Sequence, residues 1–362
     1  MDICIIAPPW LPVPAPAYGG TEAVLDQLAR GLRRAGHHVL LIGHPDSTCA
    51  VERRSIVPAE ETEPMGRGAI ELEHALGAYE MARYADVVHD HTIAGPLLAR
   101  RYPELPVITT NHGPFTRNMT ALYKAMVPQV GLVCISHSQA ASTTLPVEAV
   151  VHHGIDIDQF PAGAGRGGYA VFLGRMAPEK GAHRAIATAR AAGIPLYMAA
   201  KMREQLELDY FDAEIRPHLG PDVVYLGEID FASKVALLAD AVALVNPIRW
   251  PEPFGMVMLE SLACGTPVVG HPEGAAPEIV EHNRSGLLTR TAAGLARALA
   301  GVDRLDRAEC RRRAEVFSTE RMVDGYLRVF SRWRDRRVRD HRLALVTTGR
   351  DGSALSRVAG AP

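Results

Sequence analysis

The sequence has few cysteines, no long apolar segment and almost no excess of charge of one sign. No apolar run reaches the roughly 18 residues that a membrane helix requires. Met1 leads almost directly into the apolar residues 3–7, which predict a buried strand rather than a signal peptide. With 39 basic and 41 acidic residues the formal net charge is −2, which argues against a nucleic-acid partner. We therefore expect a soluble, cytoplasmic protein.

The cysteines do not indicate a disulfide framework. They are odd in number, far apart and mostly embedded in apolar segments, at Cys4, Cys49, Cys134, Cys264 and Cys310. Disulfide-rich secreted domains instead carry an even number of cysteines in a short chain. We expect reduced core residues and no metal site built from them.

What the sequence does contain is two halves of alternating strand and helix patterns. A chain of 362 residues exceeds the size of one core, so two domains are expected. We predict Rossmann-like domains over residues 1–160 and 168–318, joined by the Gly- and Ala-rich residues 161–168. A final helix over about residues 319–338 is long enough to return to the first domain, and residues 348–362 are predicted to be a disordered tail.

Short apolar runs predict the strands. In the first half they cover residues 2–7, 37–43, 85–91, 105–112, 130–136 and 149–156. In the second half they cover residues 169–175, 194–200, 222–229, 241–247, 267–270 and 285–289. Strands separated by helices favour right-handed crossovers and a parallel, doubly wound sheet. Because ligands bind beyond the carboxyl ends of such strands, two facing domains predict a cleft lined by both sets of loops.

Two glutamates eight positions apart mark the most informative segment, WPEPFGMVMLESLACGTPVVG at residues 250–270. Glu252 lies in a Pro-flanked turn, and we predict a helix that begins near Phe254 or Gly255 and carries Glu260 about 8 Å along its axis. The free N–H groups and the dipole at such a helix start attract an anion. The spacing therefore suits a phosphate at the helix tip and a diol further in. The alternative is an ordinary amphipathic helix with one solvated glutamate.

Two other loops carry groups that could bind the same ligand. Arg175 and Lys180 lie in GRMAPEKG after a predicted strand, and both could contact one diphosphate. A solvated surface pair is the alternative. Gly19 and Gly20 precede a helix that we expect Thr21 to cap, and they would let backbone N–H groups approach a ligand from the opposite domain.

Histidines concentrate at the ends of predicted strands. His89 and His91 share one face of a strand while Asp90 points to the other, so the HDH segment cannot offer all three side chains to one metal ion. We therefore expect no metal there. His91 and His112 end neighbouring strands and would face the cleft, where an imidazole can donate to a sugar hydroxyl or transfer a proton. The alternative for each is a histidine that only caps a strand end.

Taken together, these segments closely resemble the family 4 retaining glycosyltransferases. The resemblance rests on YGGTE at residues 18–22, TNHG at 110–113, HHGID at 152–156, FLGRMAPEKG and, above all, EPFGMVMLE. It covers the chain to about residue 335. It implies the GT-B fold, in which two Rossmann-like, doubly wound parallel-sheet domains face each other across a cleft, and an enzyme that uses a nucleotide sugar.

The resemblance also implies roles for individual residues. Arg175 and Lys180 would hold the diphosphate, Glu260 the ribose and Glu252 the hydroxyls of the donor sugar. His112 would line the donor sugar near the reacting centre. Further donor-binding groups would be Gly20, Gly174, Phe254, Gly255, Met256 and Val257, with the base near residues 226–229. On the acceptor side we expect Tyr18, His91 and Arg117, in a pocket shaped by residues 8–17 and 113–127.

The implied reaction moves a hexosyl group, with a UDP-sugar as the expected donor, to a hydroxyl of a polysaccharide, a glycolipid or a natural product. It would need neither a metal nor another cofactor, because Arg175 and Lys180 stabilise the leaving diphosphate. The abundance of Gly, Ala and Arg hints at a bacterium of high genomic GC content, and so at carbohydrate or antibiotic biosynthesis.

Two other classes of function stay open. A noncatalytic nucleotide-sugar binding protein would keep the fold, and a sugar phosphorylase or epimerase could use the same scaffold. The basic segment RWRDRRVRDHR at residues 332–342 could contact a membrane surface, although its interspersed aspartates favour an exposed, salt-bridged helix. Nothing in the sequence indicates an oligomeric state.

Overall fold

Two α/β lobes, each built on a parallel sheet, face each other in the computed structural model, which describes residues 1–17, 19–63, 65–127 and 129–351. The sheets confirm the predicted doubly wound α/β class. Their strand orders show why the predicted cleft forms where it does.

The amino-terminal lobe contains seven strands that pair in parallel throughout. They are β1 (Asp2–Ile6), β2 (His38–Ile42), β3 (Glu52–Arg54), β4 (Val87–Asp90), β5 (Val107–Asn111), β6 (Val130–Cys134) and β7 (Ala149–Val150). Their spatial order is β3-β2-β1-β4-β5-β6-β7. The central strands are almost wholly buried, as expected for a sheet covered on both faces. The edge strand β3 was not predicted because all three of its residues are charged and exposed.

The carboxy-terminal lobe repeats this arrangement with six parallel strands. They are β8 (Ala170–Arg175), β9 (Leu196–Lys201), β10 (Val223–Tyr225), β11 (Ala243–Asn246), β12 (Val268–Gly270) and β13 (Gly286–Leu288). Their order, β10-β9-β8-β11-β12-β13, is that of the first six strands of the other lobe. In both sheets the order in which strands are added reverses after the third strand, so β4 lies beside β1 and β11 lies beside β8. A crevice opens between the loops that follow the two neighbouring strands at this switch point.

Helices cover both faces of each sheet. The amino-terminal lobe has α1 (Gly20–Arg34), α2 (Gly68–Met81), α3 (Arg117–Met126) and α4 (His137–Ala141). The carboxy-terminal lobe has α5 (Ala182–Ala192), α6 (Gln205–Glu214), α7 (Phe231–Asp240), α8 (Met256–Ala263), α9 (Ala276–Ile279), α10 (Ala292–Ala300) and α11 (Arg307–Glu315). Helix α6 was not predicted, because charged residues interrupt its apolar pattern. Gly19, and not Thr21, is the N-cap of α1.

The last helix, α12 (Thr319–Asp351), leaves the carboxy-terminal lobe and packs on the amino-terminal one. Its Tyr326 and Phe330 are buried in one cluster with Leu25 and Leu28 of α1, which completes the core of the first lobe. The helix is longer than the predicted 319–338, since the helix formers in RLALV continue it. Residues 348–351 are thus helical and not a disordered tail, and residues 352–362 lie outside the described residues. No helix within the described residues combines the length and apolar character needed to cross a membrane.

Candidate active site

A cleft of about 720 Å³ separates the lobes at the carboxyl ends of both sheets. One wall comes from the loop after β1 and the start of α1, and the other from the loops after β8 and β11 and the start of α8. The volume is typical of small-molecule sites, which span roughly 300–1,000 Å³. The predicted ligand-binding residues that line it are Gly20, His112, Gly174, Lys180, Glu252, Phe254, Gly255, Met256, Val257 and Glu260.

The start of α8 forms the end of the cleft that can attract an anion. Gly255 is the N-cap and has a left-handed backbone with φ of 93°, a conformation that favours glycine. No side chain caps the helix, and its first turn contains no acidic residue. Its free N–H groups and the positive end of its dipole are therefore available to a ligand.

Both predicted glutamates are paired with lysines of the same lobe. Lys180 donates to Glu252 at 2.6 Å, and Lys234 donates to Glu260 at 2.6 Å. The four side chains are only 13% to 24% exposed. Because partly buried pairs are weakly screened by solvent, each partner holds the other in place. A ligand that enters the cleft thus meets two fixed carboxylates and two fixed ammonium groups.

Arg175, which was predicted to act beside Lys180, does not line the cleft. Its guanidinium donates to Glu179 at 2.6 Å and lies 3.6 Å from Glu207, a carboxylate of α6. These two acids draw the side chain along the loop and away from the cavity. In this structure the two predicted cations therefore do not converge on one point.

Four histidines form a column that runs from the cleft into the amino-terminal lobe: His89, His91 and His153 are buried and His112 is half-buried. His112 and His153 line the cleft, and their rings stack with centroids 5.2 Å apart. His91 does not line it, contrary to prediction. Its Nδ1 shares a 2.8 Å hydrogen bond with Nε2 of His112, because its ring turns towards β5 and so lies one layer behind.

The histidine column is neutral at neutral pH. Burial lowers the pKa of His112 to about 4 and lowers the pKa of His89, His91 and His153 well below the usual value. Each ring keeps one buried nitrogen that has no partner among the described residues. The two rings that line the cleft, those of His112 and His153, therefore carry no charge into it.

The HDH segment behaves as its strand pattern predicts. Asp90 faces away from its histidine neighbours and accepts hydrogen bonds from the Tyr79 hydroxyl, at 2.9 Å, and from Thr92. Burial raises the pKa of Asp90 to about 7. The carboxylate is thus engaged on the opposite face of the sheet from the histidine rings.

One group of side chains within the described residues has the spacing of a metal site, and it lies outside the cleft. Ligand atoms of His137, His152 and Glu278 lie within 4.8 Å of one another. Glu278 of α9 already accepts from the backbone N–H groups of His137 and Ser138 and pairs with His152 at 2.8 Å. These hydrogen bonds join the two lobes directly, so the group has a structural explanation without an ion.

The start of α1 forms the opposite end of the cleft. A Cβ atom on Gly20 would meet nothing within 4 Å, so this backbone borders open space. Unlike α8, α1 has an acid in its first turn, Glu22, which is 7% exposed and lines the cleft. Burial raises the pKa of Glu22, and a hydrogen bond from its own backbone N–H opposes that shift.

Of the segments predicted to form the acceptor pocket, one lines the cleft and the other does not. Tyr18 lies outside the described residues. Arg117 is exposed at the start of α3. Residues 113–127 were predicted to shape the acceptor pocket, but none of them lines the cleft. The reason is that Tyr123 and Met126 of α3 pack into a core cluster on the sheet away from the cleft wall. The Pro-rich loop after β1 does line the cleft, through Leu11, Pro14, Ala15 and Ala17.

The lining residues that were not predicted include Lys201, Lys234 and His153, as well as Glu22, Asp26 and Arg30. The chain has only four lysines, and Lys201 and Lys234 with Lys180 place three of them in the cleft. The scarcity of lysine in a chain rich in arginine could have indicated that its few lysines are functional, since three of the four line the cleft. In the segment predicted to bind a base, Glu228 and Ile229 line the cleft and Leu226 does not.

Two family models match the chain, one in each lobe. The model described as Glycosyltransferase Family 4 matches residues 18–159, and the model described as Glycosyl transferases group 1 matches residues 167–302. Glycogen synthase of Mycobacterium tuberculosis is 28% identical, over 80% of this chain and 83% of that protein. Phosphatidyl-myo-inositol mannosyltransferase of Mycolicibacterium smegmatis is 25% identical, over 83% of this chain and 84% of that protein.

Solved structures share the arrangement of both lobes. AviGT4, a glycosyltransferase involved in avilamycin A biosynthesis, is 27% identical with a TM-score of 0.69, covering 92% of this chain and 98% of its own. HepE of Anabaena, in complex with UDP and glucose, is 18% identical with a TM-score of 0.72, covering 91% of this chain and 99% of its own, and that likeness concerns the fold.

Proposed function

This chain is a glycosyltransferase of family 4 with the GT-B fold, and we propose that it moves a hexosyl group from a UDP-sugar to an acceptor hydroxyl with retention at the anomeric carbon. Its resemblance to AviGT4 and the UDP bound by HepE support a nucleotide sugar as donor. The acceptor belongs to a polysaccharide, a glycolipid or a natural product.

The observation that carries the proposal is the uncapped start of α8 beside Lys180 in the cleft. Transfer breaks the bond between the anomeric carbon and the diphosphate, which gains negative charge as it leaves. Groups fixed where that charge develops stabilise the transition state more than the ground state. Loss of one such group typically costs about 3 kcal/mol.

Each paired glutamate has a role on the donor. Glu260 accepts hydrogen bonds from the ribose hydroxyls, and Glu252 accepts them from the hydroxyls of the sugar. Their lysine partners fix both carboxylates before the donor arrives, which lowers the entropy cost of binding.

Arg175 joins the site only when the donor is bound, by exchanging Glu179 for the diphosphate. Its side chain is 36% exposed, and a surface ion pair of that kind is worth only about 0–1 kcal/mol. The exchange therefore needs little energy. With Lys180 and the helix it supplies the positive charge, so the proposal includes no metal and no other cofactor.

On the acceptor side, His112 lines the sugar as a neutral imidazole. The acceptor oxygen attacks the anomeric carbon on the same face from which the diphosphate departs, and a diphosphate oxygen takes the hydroxyl proton. This order of events gives retention without a protein nucleophile.

A donor screen tests the proposal. UDP-, GDP- and ADP-hexoses are each incubated with an array of hydroxyl acceptors, released nucleotide is quantified, and the anomeric configuration of the product is read by NMR. We expect UDP release coupled to an α-linked product from an α-linked donor. A β-linked product would contradict retention.

The same assay separates the alternatives. UDP binding by calorimetry without turnover on any acceptor would indicate a noncatalytic binding protein, and phosphate-dependent cleavage of a disaccharide would indicate a phosphorylase. Turnover should also persist in EDTA. Loss of activity that manganese restores would show that the cleft needs a metal after all.

A further inference from the structure

The cleft wall of the amino-terminal lobe is poor in available positive charge. We call the lining residues of segment 11–30 the acceptor wall. Within the described residues its single cation is Arg30, whose Nε donates to Asp26 Oδ2 at 2.8 Å and whose Nη2 lies 2.8 Å from the same oxygen. The opposite wall carries three lysines, of which Lys180 and Lys234 are paired with glutamates, and the uncapped start of α8. An anionic group on the acceptor would therefore find no uncommitted cation on its own side.

The helix that starts in the acceptor wall does not compensate for this. Glu22 lies in the first turn of α1, and its carboxylate turns back towards Gly19: a Cβ atom placed there would be 2.8 Å from Glu22 Oε2. A carboxylate at this position offsets the positive end of the helix dipole. Glu22 and Asp26 are each less than a tenth exposed, so solvent screens them weakly.

The same wall suits hydroxyl groups. Ionised carboxylates only accept hydrogen bonds, and hydroxyls can donate them. His153 lines the cleft and stays neutral, because burial lowers its pKa well below the usual value, so it adds no charge beside a hydroxyl. Leu11 and Pro14 add apolar surface beside these groups, against which the C–H face of a sugar ring can pack.

We propose that the acceptor is an uncharged, polyhydroxylated molecule with an apolar face, such as a sugar residue of a glycan or of a glycosylated natural product, and not one with a carboxylate or phosphate beside the reacting hydroxyl. The proposal rests on the transfer activity proposed above. In that step the acceptor O–H bond breaks and its oxygen bonds to the anomeric carbon. The bond from that carbon to the diphosphate breaks, and the proton leaves on a diphosphate oxygen.

Matched acceptors test this class. Phenyl glycosides of glucose, galactose and mannose are compared with the corresponding uronides, in which the C6 hydroxymethyl is a carboxylate, and with the 6-phosphates. Each is assayed for transfer, and for binding by saturation-transfer NMR with UDP present, so that the nucleotide occupies the lysines and α8. We expect neutral members to be favoured about tenfold over anionic ones at pH 8, from repulsion chiefly by Glu22, because Arg30 already offsets the charge of Asp26.

Variants then assign the preference to the acceptor wall. Glu22→Gln combined with Asp26→Asn should bring the neutral-to-anionic ratio close to one, mainly by improving the anionic members, because Arg30 loses its partner. Asp26→Glu keeps the charge and should keep the ratio. Glu73→Gln removes an exposed carboxylate of α2 outside the cleft, and should leave the ratio unchanged. Calorimetry with UDP checks that each variant keeps a folded donor site.

The two proposals fail in different ways. Absence of UDP binding and of any nucleotide release from a sugar nucleotide would remove the proposed transfer activity. A donor that is bound and turned over, together with equal or better use of uronides or phosphates, would overturn the inference on the acceptor alone. Failure of every neutral glycoside to bind with UDP present would overturn it as well.

Discussion

The helices α1 and α8 both start at the cleft behind a glycine N-cap that no side chain supports, yet their first turns differ. The first turn of α1 contains Glu22, and that of α8 contains no acid. The repeated fold thus provides two helix starts that could attract an anion. One acidic residue decides which of them remains free to do so.

Lysine is divided between the lobes in the same sense. Lys180, Lys201 and Lys234 of the carboxy-terminal lobe line the cleft, whereas the single lysine of the other lobe, Lys124, is exposed on α3. Nearly identical sheet topologies therefore carry different chemistry, because the functional groups lie in loops and first turns rather than in the sheets.

The largest effect should come from removing Lys180. Lys180→Ala deletes a charge beside the helix start, and we expect kcat to fall about 100- to 1,000-fold. The measurement is steady-state nucleotide release with the donor that the screen selects. Lys124→Ala is the matched control outside the cleft and should retain full activity. Equal rates in both variants would show that Lys180 does not act in catalysis and that the lysines of the two lobes do not differ in function.

Transplanting an acid should make α8 resemble α1. Val257 lies in the first turn of α8 and is partly exposed in the cleft. Val257→Glu places a carboxylate at the proposed diphosphate site, and by like-charge repulsion we expect donor binding to weaken about 100-fold. Isothermal titration with UDP measures the loss, and Val257→Gln controls for side-chain size. Unchanged affinity in the glutamate variant would show that the helix start does not hold the nucleotide.

Acid should destabilise the amino-terminal lobe first. Burial lowers the pKa of His74 and of His112 to about 4, below the usual value near 6.5. As the pH falls from 6.5 towards 4, the unfolded chain protonates these histidines and the folded lobe does not, so their contribution to stability is lost in that window; Asp90, with its pKa raised to about 7, acts in the opposite direction but is a single group. For a fully buried group such as His74 the loss is roughly 2 kcal/mol by pH 5.

Thermal melts at pH 7.5 and 5.0, combined with hydrogen exchange, measure this difference. We expect a lower melting temperature at pH 5.0, with faster exchange in the strands of the first sheet than in those of the second. His74→Asn should flatten the pH dependence. Equal acid sensitivity of both sheets would contradict the prediction.

The smallest effect concerns Arg175. Because its guanidinium must leave Glu179 to reach the donor, Arg175→Ala should lower kcat/KM only about tenfold, less than loss of Lys180. Glu179→Gln should release the arginine and lower the donor KM a few-fold. If Glu179→Gln instead raised KM, the proposed exchange would be wrong.

Much of this arrangement could be predicted from the sequence. Alternating apolar runs and helical patterns predicted the two parallel sheets, because local period and chain order nearly determine a doubly wound topology. The Pro-flanked turn and Gly255 predicted the start of α8 to within a residue or two, which in turn placed Glu252 and Glu260 at the cleft.

Side-chain direction could not be predicted in the same way. Arg175 turns towards Glu179 and towards Glu207, and Glu207 lies on α6, the helix whose charged pattern concealed it. His91 lies at the predicted strand end, but it was predicted to face the cleft and instead lies behind His112, to which it is hydrogen-bonded. The bond from Arg175 to Glu179 is local, but the contacts of Arg175 with Glu207 and of His91 with His112 join segments distant in the chain, and no local pattern records such contacts.

The return of α12 to the first lobe bears on how the protein is made. A ribosome completes the first lobe's strands early, but Tyr326 and Phe330, which fill its core beside Leu25, follow the whole second lobe in the chain. The apolar surface that they cover stays exposed for most of translation. The lobe that is synthesised first is therefore the lobe that finishes folding last.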